Sequence, residues 1–543
     1  MSRAFLAIAF IGLALCLLSG CNVSVAQPEP EPEPKKIQMP AAQAEQVGKG
    51  EELEPQNAHR VAAERNKPVE VAQAEGRADR AIERGQSRQL ANASFDELQA
   101  LDQISAEIRD SLSLRKTLVV WIVEQTSEAM PLAKNVAERI PALLEDLHST
   151  DGNALEMAVV TYGDQVNVLT PEPVEQASAI RKALQMGAGK RAEKIMLNTA
   201  LQQAADKFLP FRKRGFEVLF VVVGVASGDD REAADQAIAS LARAAVPVYA
   251  IAPAIPFGKT TGLANGNRGQ KRPSILLGSD KRWFESSAPE RIQLGLSGNQ
   301  STADLTDSGY GPFGMERACR LTGGKLFRLR EGRAAGWEID PNTGDIKAEL
   351  LAKYAPDYVS DEQYQQLLTE NKCRMALHNA SLLPEMTGLE SPRTNFPKEK
   401  DEAAMAKTVG IAQRASAEHD QPIQKLYDTL NAGQADRPKL TGARWQAAYD
   451  LAMGQCLAAK ARIDGYNAML AILKQGKSFT NPDSKRWMLE PADEIAAGSV
   501  LEKMAKNSRT YLQRVVQEHK GTPWAAIAER ELKYPAGWKF VEQ

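Results

Sequence analysis

From Val119 to Met130 the chain reads Val-Val-Trp-Ile-Val-Glu124-Gln-Thr126-Ser-Glu128-Ala-Met, an apolar run that stops in oxygen-bearing side chains. Two carboxylates and a hydroxyl, spaced by two residues at the end of a strand, can face one point and hold a hard divalent cation. The other chemical signals are poorer. Gly187-Ala-Gly189-Lys190-Arg191 has glycines and a lysine. It lacks the phosphate-loop spacing Gly-x4-Gly-Lys-Ser/Thr and does not directly follow a buried strand, so it reads as a plain loop. His59, His148, His378, His419 and His519 are scattered without a His-Glu-x-x-His pair, and no Gly-x-Ser-x-Gly elbow presents a hydrolytic serine. No catalytic residue is expected. Lys259, Arg268, Lys271 and Arg272 form a local basic patch. That patch is either a solvated loop or a binding surface for an acidic partner or anionic glycan.

The elements around these residues follow from periodicity. A helix is expected over Phe95–Leu114, then a strand over Thr117–Val123, whose continuous apolar character fits burial on both faces. Leu132–Leu147 repeats apolar residues at helical spacing, and Met157–Tyr162 with Val166–Leu169 reads as a hairpin turning at Gly163-Asp164. Helices at Val174–Leu184, Asn198–Phe208 and Asp230–Ala244 alternate with strands at Val218–Val223 and Val246–Ile251. Asp229 or Asp230 is a natural N-cap for the third of these helices. A short helix at Met315–Leu321 stops at Gly323-Gly324 before a strand at Lys325–Arg328. Such alternation implies an α/β fold with a doubly wound, mostly parallel sheet, and ligands in such sheets bind outside the carboxyl ends of the strands.

Over residues 116–332 the chain resembles the von Willebrand factor A domain family. The resemblance is carried by Val119–Met130, Met157-Ala-Val-Val-Thr-Tyr-Gly-Asp164, Ala200-Leu201, Val246-Pro-Val-Tyr-Ala-Ile-Ala252 and Leu321-Thr-Gly-Gly324. Gly228-Asp229-Asp230, Pro256-Phe257-Gly258, Asp307-Ser-Gly-Tyr-Gly-Pro312 and Tyr354-Ala-Pro-Asp-Tyr358 are also similar to loops of planctomycete A-domain lipoproteins. The resemblance implies a metal-ion-dependent adhesion site built from Asp-x-Ser-x-Ser, a Thr and an Asp on three loops, an oxygen shell for magnesium or manganese. Here the first motif becomes Glu124-x-Thr126-x-Glu128. The Thr position falls at Ile195–Leu197, which has no side-chain oxygen, and Gly224-Val225 stands where Thr-Asp would. The site therefore reads as degenerate, with no cofactor. Its carboxylates would face solvent or pair with a base. The alternative is a rearranged site for Ca, Mg or Mn from Glu124, Thr126, Glu128 and Asp229.

Residues 1–20 read as a signal peptide: Arg3, an apolar run from Ala4 to Leu18, then Leu18-Ser19-Gly20-Cys21. The last four residues resemble a bacterial lipobox, which implies lipid on Cys21 and anchoring to a membrane without spanning it. The other reading is an ordinary secretory cleavage site with a chance Cys. Residues 21–95 form a tether, opening on the Pro/Glu alternation Gln27–Pro34 and then poor in large apolar residues. As a coil it spans on the order of 50 Å. Lys and Arg number 67 against 69 Asp and Glu, so no general affinity for nucleic acid is expected. Cys319, Cys373 and Cys456 are far apart in the sequence and read as buried thiols, the alternative being one disulfide whose pairing the sequence does not give.

The folded part then divides into a leading helix at 96–115, the A-type domain at 116–332 with an insertion at 253–307, a connecting region at 333–402 and a helical module at 403–543. Trp445, Ala448, Tyr449, Ala452, Cys456, Ala459 and Ile463 make one apolar face of a helix. Gly521-Thr-Pro523 separates two further helices, as in tetratricopeptide-like pairs or an all-α bundle. The expected function is that of a non-catalytic, membrane-anchored envelope lipoprotein facing periplasm or exterior, binding a protein or an envelope component. The alternatives are metal-dependent adhesion and an envelope enzyme with an unrecognised site.

Overall fold

The computed structural model describes residues 97–148, 154–185, 194–255, 294–295, 308–329, 348–383, 386–387, 392–495 and 498–543. Cys21, the tether and the insertion residues Lys259, Arg268, Lys271 and Arg272 lie outside the described residues, as does the glycine-rich loop at Gly187–Arg191.

The strands are β1 (Thr117–Glu124), β2 (Leu155–Tyr162), β3 (Val166–Val168), β4 (Glu217–Val223) and β5 (Val248–Pro253), then the two-residue β6 (Leu294–Gly295) and β7 (Leu326–Leu329). The six-stranded sheet has the order β3-β2-β1-β4-β5-β7 and is parallel except at β3. Strand β1 is central. It pairs with β2 from Thr117↔Leu155 to Glu124↔Tyr162 and with β4 from Thr117↔Glu217 to Val123↔Val223. Every β1 residue is buried, as its unbroken apolar run requires.

The two faces are sorted by the period-two geometry of a strand. Val119, Trp121 and Val123 pack with α1 (Glu97–Leu112), α2 (Met130–His148) and α3 (Ala177–Gln185). Leu118, Val120 and Ile122 pack with α4 (Leu197–Phe208), α5 (Ala234–Arg243) and α6 (Phe313–Thr322). The leading helix holds on through Leu101, Ile104, Ile108 and Leu112, spaced three or four apart. The Leu321-Thr-Gly-Gly stretch has a concrete role. Gly323 closes α6 at φ 79°, and a Cβ on Gly324 would strike the Val248 carbonyl.

Beyond the sheet lie α7 (Ala348–Lys353), α8 (Asp361–Glu370), α9 (Lys372–Ser381), α10 (Glu402–Asn431), α11 (Ala443–Lys474), α12 (Ser499–Glu518) and α13 (Pro523–Leu532). The apolar stripe expected on α11 is only part of what it buries. Residues from Trp445 to Leu473 are covered nearly all around, because α10, α12, α13 and a strand all pack on it. Gly454 allows the approach of α12, since a Cβ there would sit 2.8 Å from Leu512 Cγ. The module also carries a small antiparallel sheet that periodicity does not announce. In it β9 (Asn395–Pro397), β10 (Arg486–Ala492) and β11 (Gly537–Glu542) pair in the order β11-β10-β9. The two-residue β8 (Met386–Thr387) pairs with β6.

The Tyr354–Tyr358 segment joins the α/β domain to the helical module. Tyr358 stacks on Phe313 at 5.3 Å, and Tyr310 Oη donates to the Leu351 carbonyl at 2.6 Å. The Arg444 guanidinium lies over both Tyr310 and Trp524 and donates to the Tyr354 carbonyl at 2.7 Å. Cys319, Cys373 and Cys456 are free and buried. Among the described residues no helix is long and apolar enough to cross a membrane.

Candidate functional site

The parallel strands β1, β2 and β4 end together at one edge, and the loops that follow them meet there. Glu124, the last residue of β1, is 1% exposed. Its carboxylate turns inward across the sheet edge. Oε2 accepts from the Val225 N–H at 2.8 Å and the Ala226 N–H at 3.2 Å, and Oε1 accepts from Thr126 Oγ1 at 2.7 Å. Glu124 thus neither faces solvent nor pairs with a base, in contrast to the expectation from sequence. The extra methylene relative to Asp lets the carboxylate reach the loop after β4.

Thr126 has a second task. Its Oγ1 accepts from the Ala129 N–H at 3.2 Å, so it caps the chain entering α2. Glu128 is half-buried and contributes no carboxylate bond to this network. Gly224 is where the network is tightest. A Cβ there would sit 2.7 Å from Glu124 Oε2, 2.8 Å from Met315 Cε and closer still to Tyr162 Oη. The Thr that the family motif would place at this point therefore has no room.

The second loop, without side-chain oxygens, is held by carboxylates of the third. Asp229 Oδ2 accepts from the Ile195 N–H at 2.8 Å, and Asp229 N–H donates back to the Ile195 carbonyl at 2.6 Å. Asp230 accepts from the Asn198 and Thr199 N–H groups at 3.2 and 2.6 Å. Asp230 therefore caps α4, not the helix that follows it in sequence, where its side chain makes no capping bond. Asp164 contributes likewise, accepting from the Lys194 N–H at 2.7 Å. The Asp230 carboxylate lies against orphan amides in the first turn of α4, where negative charge is favourable.

Electrostatics follows from this burial. Desolvation pushes the Glu124 carboxyl from 4.5 up to about 7, against the pull of the Val225 amide, the Thr126 hydroxyl and the Ala226 amide. The neighbouring Glu128 carboxylate adds to the rise. Burial, then Glu124 and Asp230, push the Tyr162 phenol well above its ordinary range, and its buried oxygen has no hydrogen-bond partner. A concavity of about 240 Å³ opens over Glu124 and Thr126, walled by Met130 and Lys134 of α2 and by Leu184 and Gln185.

A hexacoordinate divalent ion needs several oxygen lone pairs facing one point. The arrangement here does not fit one: Glu124, Thr126, Asp229 and Asp230 direct oxygens at N–H or O–H donors on different loops, and Ile195–Leu197 supply no side-chain oxygen. What the arrangement does is stitch three loops into one rigid edge. Of the residues considered from sequence, Glu124 and Thr126 come together, Asp229 joins the loop network, and Glu128 stands apart. Asp230, Tyr162, Asp164 and Gly224 are additional members. Tyr162 precedes the predicted Gly163-Asp164 turn and Asp164 belongs to it, the nearest thing to a signal for them.

No family model matches the chain, and no curated protein matches it. Among solved structures, an aerotolerance-related membrane protein from Bacteroides fragilis NCTC 9343, carrying multiple mutations to serines, aligns over 40% of this chain and 94% of its own. The identity is 10% and the TM-score 0.23, a likeness too slight to carry an argument.

Proposed function

We propose that this chain is a non-catalytic binding module of the cell envelope, anchored by lipid on Cys21, whose A-type domain acts without a metal ion. The observation that carries the reading is the set of carboxylate–amide bonds of Glu124, Asp229 and Asp230, which fix the three loops that would otherwise converge on a cation. A preorganised loop edge of this kind suits recognition of a protein or envelope component, because little ordering entropy is lost on binding.

The test uses the full chain in detergent, as bait for envelope extracts with and without a chelator. The same enriched partner under both conditions supports the reading, and absence of a partner under either sinks it. Enrichment lost with the chelator, together with an unfolding temperature raised by calcium, magnesium or manganese and insensitive to it in Glu124→Ala, would establish the rearranged metal site instead.

A further inference from the structure

A second concavity, of about 120 Å³, lies on the other side of the β4 loop. Its floor belongs to the A-type domain and includes Asn198, Ser227 and Arg317, while Tyr364, His378 and Leu382 of the following helical segments form its roof. Asn198 and Ser227 are 3% exposed and Arg317 is 4% exposed. Each has one polar atom without a hydrogen-bond partner, namely Asn198 Oδ1, Ser227 Oγ and Arg317 Nε. Neighbouring polar atoms of the same side chains are engaged: Asn198 Nδ2 donates to Asp230, and Arg317 Nη2 pairs with Asp235. A buried polar group without a partner is destabilising, so three around one cleft are a standing cost that an occupant would relieve.

The chemistry of the occupant follows from the lining. Arg231 and Arg317 are balanced by Asp357 and Asp361, so a net charge gains nothing there. Asn198, Arg317 and Ser227 offer one acceptor, one donor and one hydroxyl that can be either. Phe313, Ile238, Val359 and Leu382 offer apolar surface beside them. A peptide group has the matching pair, an N–H and a C=O on a small apolar frame.

We propose that this cleft binds a neutral peptide-type amide, its N–H donating to Asn198 Oδ1 and its carbonyl accepting from Arg317 Nε, with Ser227 Oγ as the third contact. The proposal stands apart from the adhesion reading: a failed pull-down leaves it standing, and its own failure leaves the loop edge as described.

Saturation-transfer NMR on the full chain tests it, with N-acetylglycine N-methylamide as probe and acetate and methylammonium as charged controls. The amide is expected to bind and the ions to bind more weakly. Arg317→Lys keeps the charge but removes Nε, and weakens the amide about tenfold, as loss of a bond to a charged group does. Ser227→Ala weakens it about threefold. Leu382→Trp, at a rim residue that is 71% exposed, blocks the cleft without touching the core and is expected to abolish the signal. Equal affinity in wild type and Arg317→Lys, acetate or methylammonium binding as well as the amide, or no saturation transfer from the amide would each overturn the proposal, the last leaving a water-filled cavity.

Discussion

Glu124 in the α/β domain and Asp450 in the helical module are both buried carboxylates, 1% and 0% exposed. They are satisfied by opposite means. Glu124 is surrounded by neutral donors: two backbone amides and a hydroxyl. Asp450 is gripped by cations. Arg437 donates to it through Nε and Nη2 at 2.8 and 2.7 Å, and Arg514 approaches at 3.3 Å. A fork of this geometry meets the carboxylate with charge-assisted bonds, whereas Glu124 has only neutral donors to set against burial, which raises its carboxyl to about 7. In the helical module the buried charge braces α12 and the turn before α11. In the α/β domain the buried carboxyl forms a hydrogen-bonded latch between the ends of β1 and β4 whose strength depends on protonation.

Substitution separates the two cases. Asp450→Ala leaves two guanidinium groups around an empty position and is expected to cost about 3–5 kcal/mol, read from urea denaturation at pH 7. Glu124→Gln keeps an acceptor for the amides and removes the ionisable proton. The Glu124 carboxyl has its folded value raised above the unfolded one, so its stabilising effect is full below about 4.5 and is lost as pH rises through about 7. The Gln variant should therefore gain on wild type by on the order of 3 kcal/mol between those values. A pH-independent difference between the two proteins would remove the latch from this account. His519, buried and hydrogen-bonded to Tyr354 Oη at 2.7 Å, works in the other direction. Burial lowers it from 6.5 to about 4, so its contribution is present above 6.5 and fades as pH falls toward 4.

Smaller changes probe the rims of the comparison. Gly224→Ala pushes a methyl into Tyr162, Glu124 and Met315, and should cost about 1–3 kcal/mol by overpacking, measured as a fall in unfolding temperature. Asp230→Ala removes the cap of α4 and should cost about 1 kcal/mol, with faster amide exchange at Asn198 and Thr199. Unchanged exchange there would mean that water replaces the carboxylate at no cost.

How much of this was legible in the sequence depends on how far apart the partners lie. Strand β1 could be read because burial on both faces writes itself as an uninterrupted apolar run. The end of α6 could be read because Gly323 is needed at positive φ. The loop network could not, because Asp229 and Asp230 bond amides 31 to 34 residues earlier in the chain. A local reading assigns them to the nearest helix instead. The small sheet stayed hidden for a related reason: β9 is three residues long, and Pro491 interrupts the pattern of β10. The amide cleft draws its walls from α4, the β4 loop, α6 and α9, which no periodicity relates.

The position of β1 also bears on how the molecule meets mechanical force. Among the described residues, a pull on the N-terminal side reaches α1 first, a helix held by side-chain packing that can peel away one turn at a time. The next element is the middle strand of six, bonded along its length to β2 on one side and β4 on the other. Drawn along its own axis, it loads both ladders in shear, so many hydrogen bonds must fail at once, and the rate of forced unfolding is set there. In a chain tethered at that end, α1 would give way first while the rest of the sheet stayed closed.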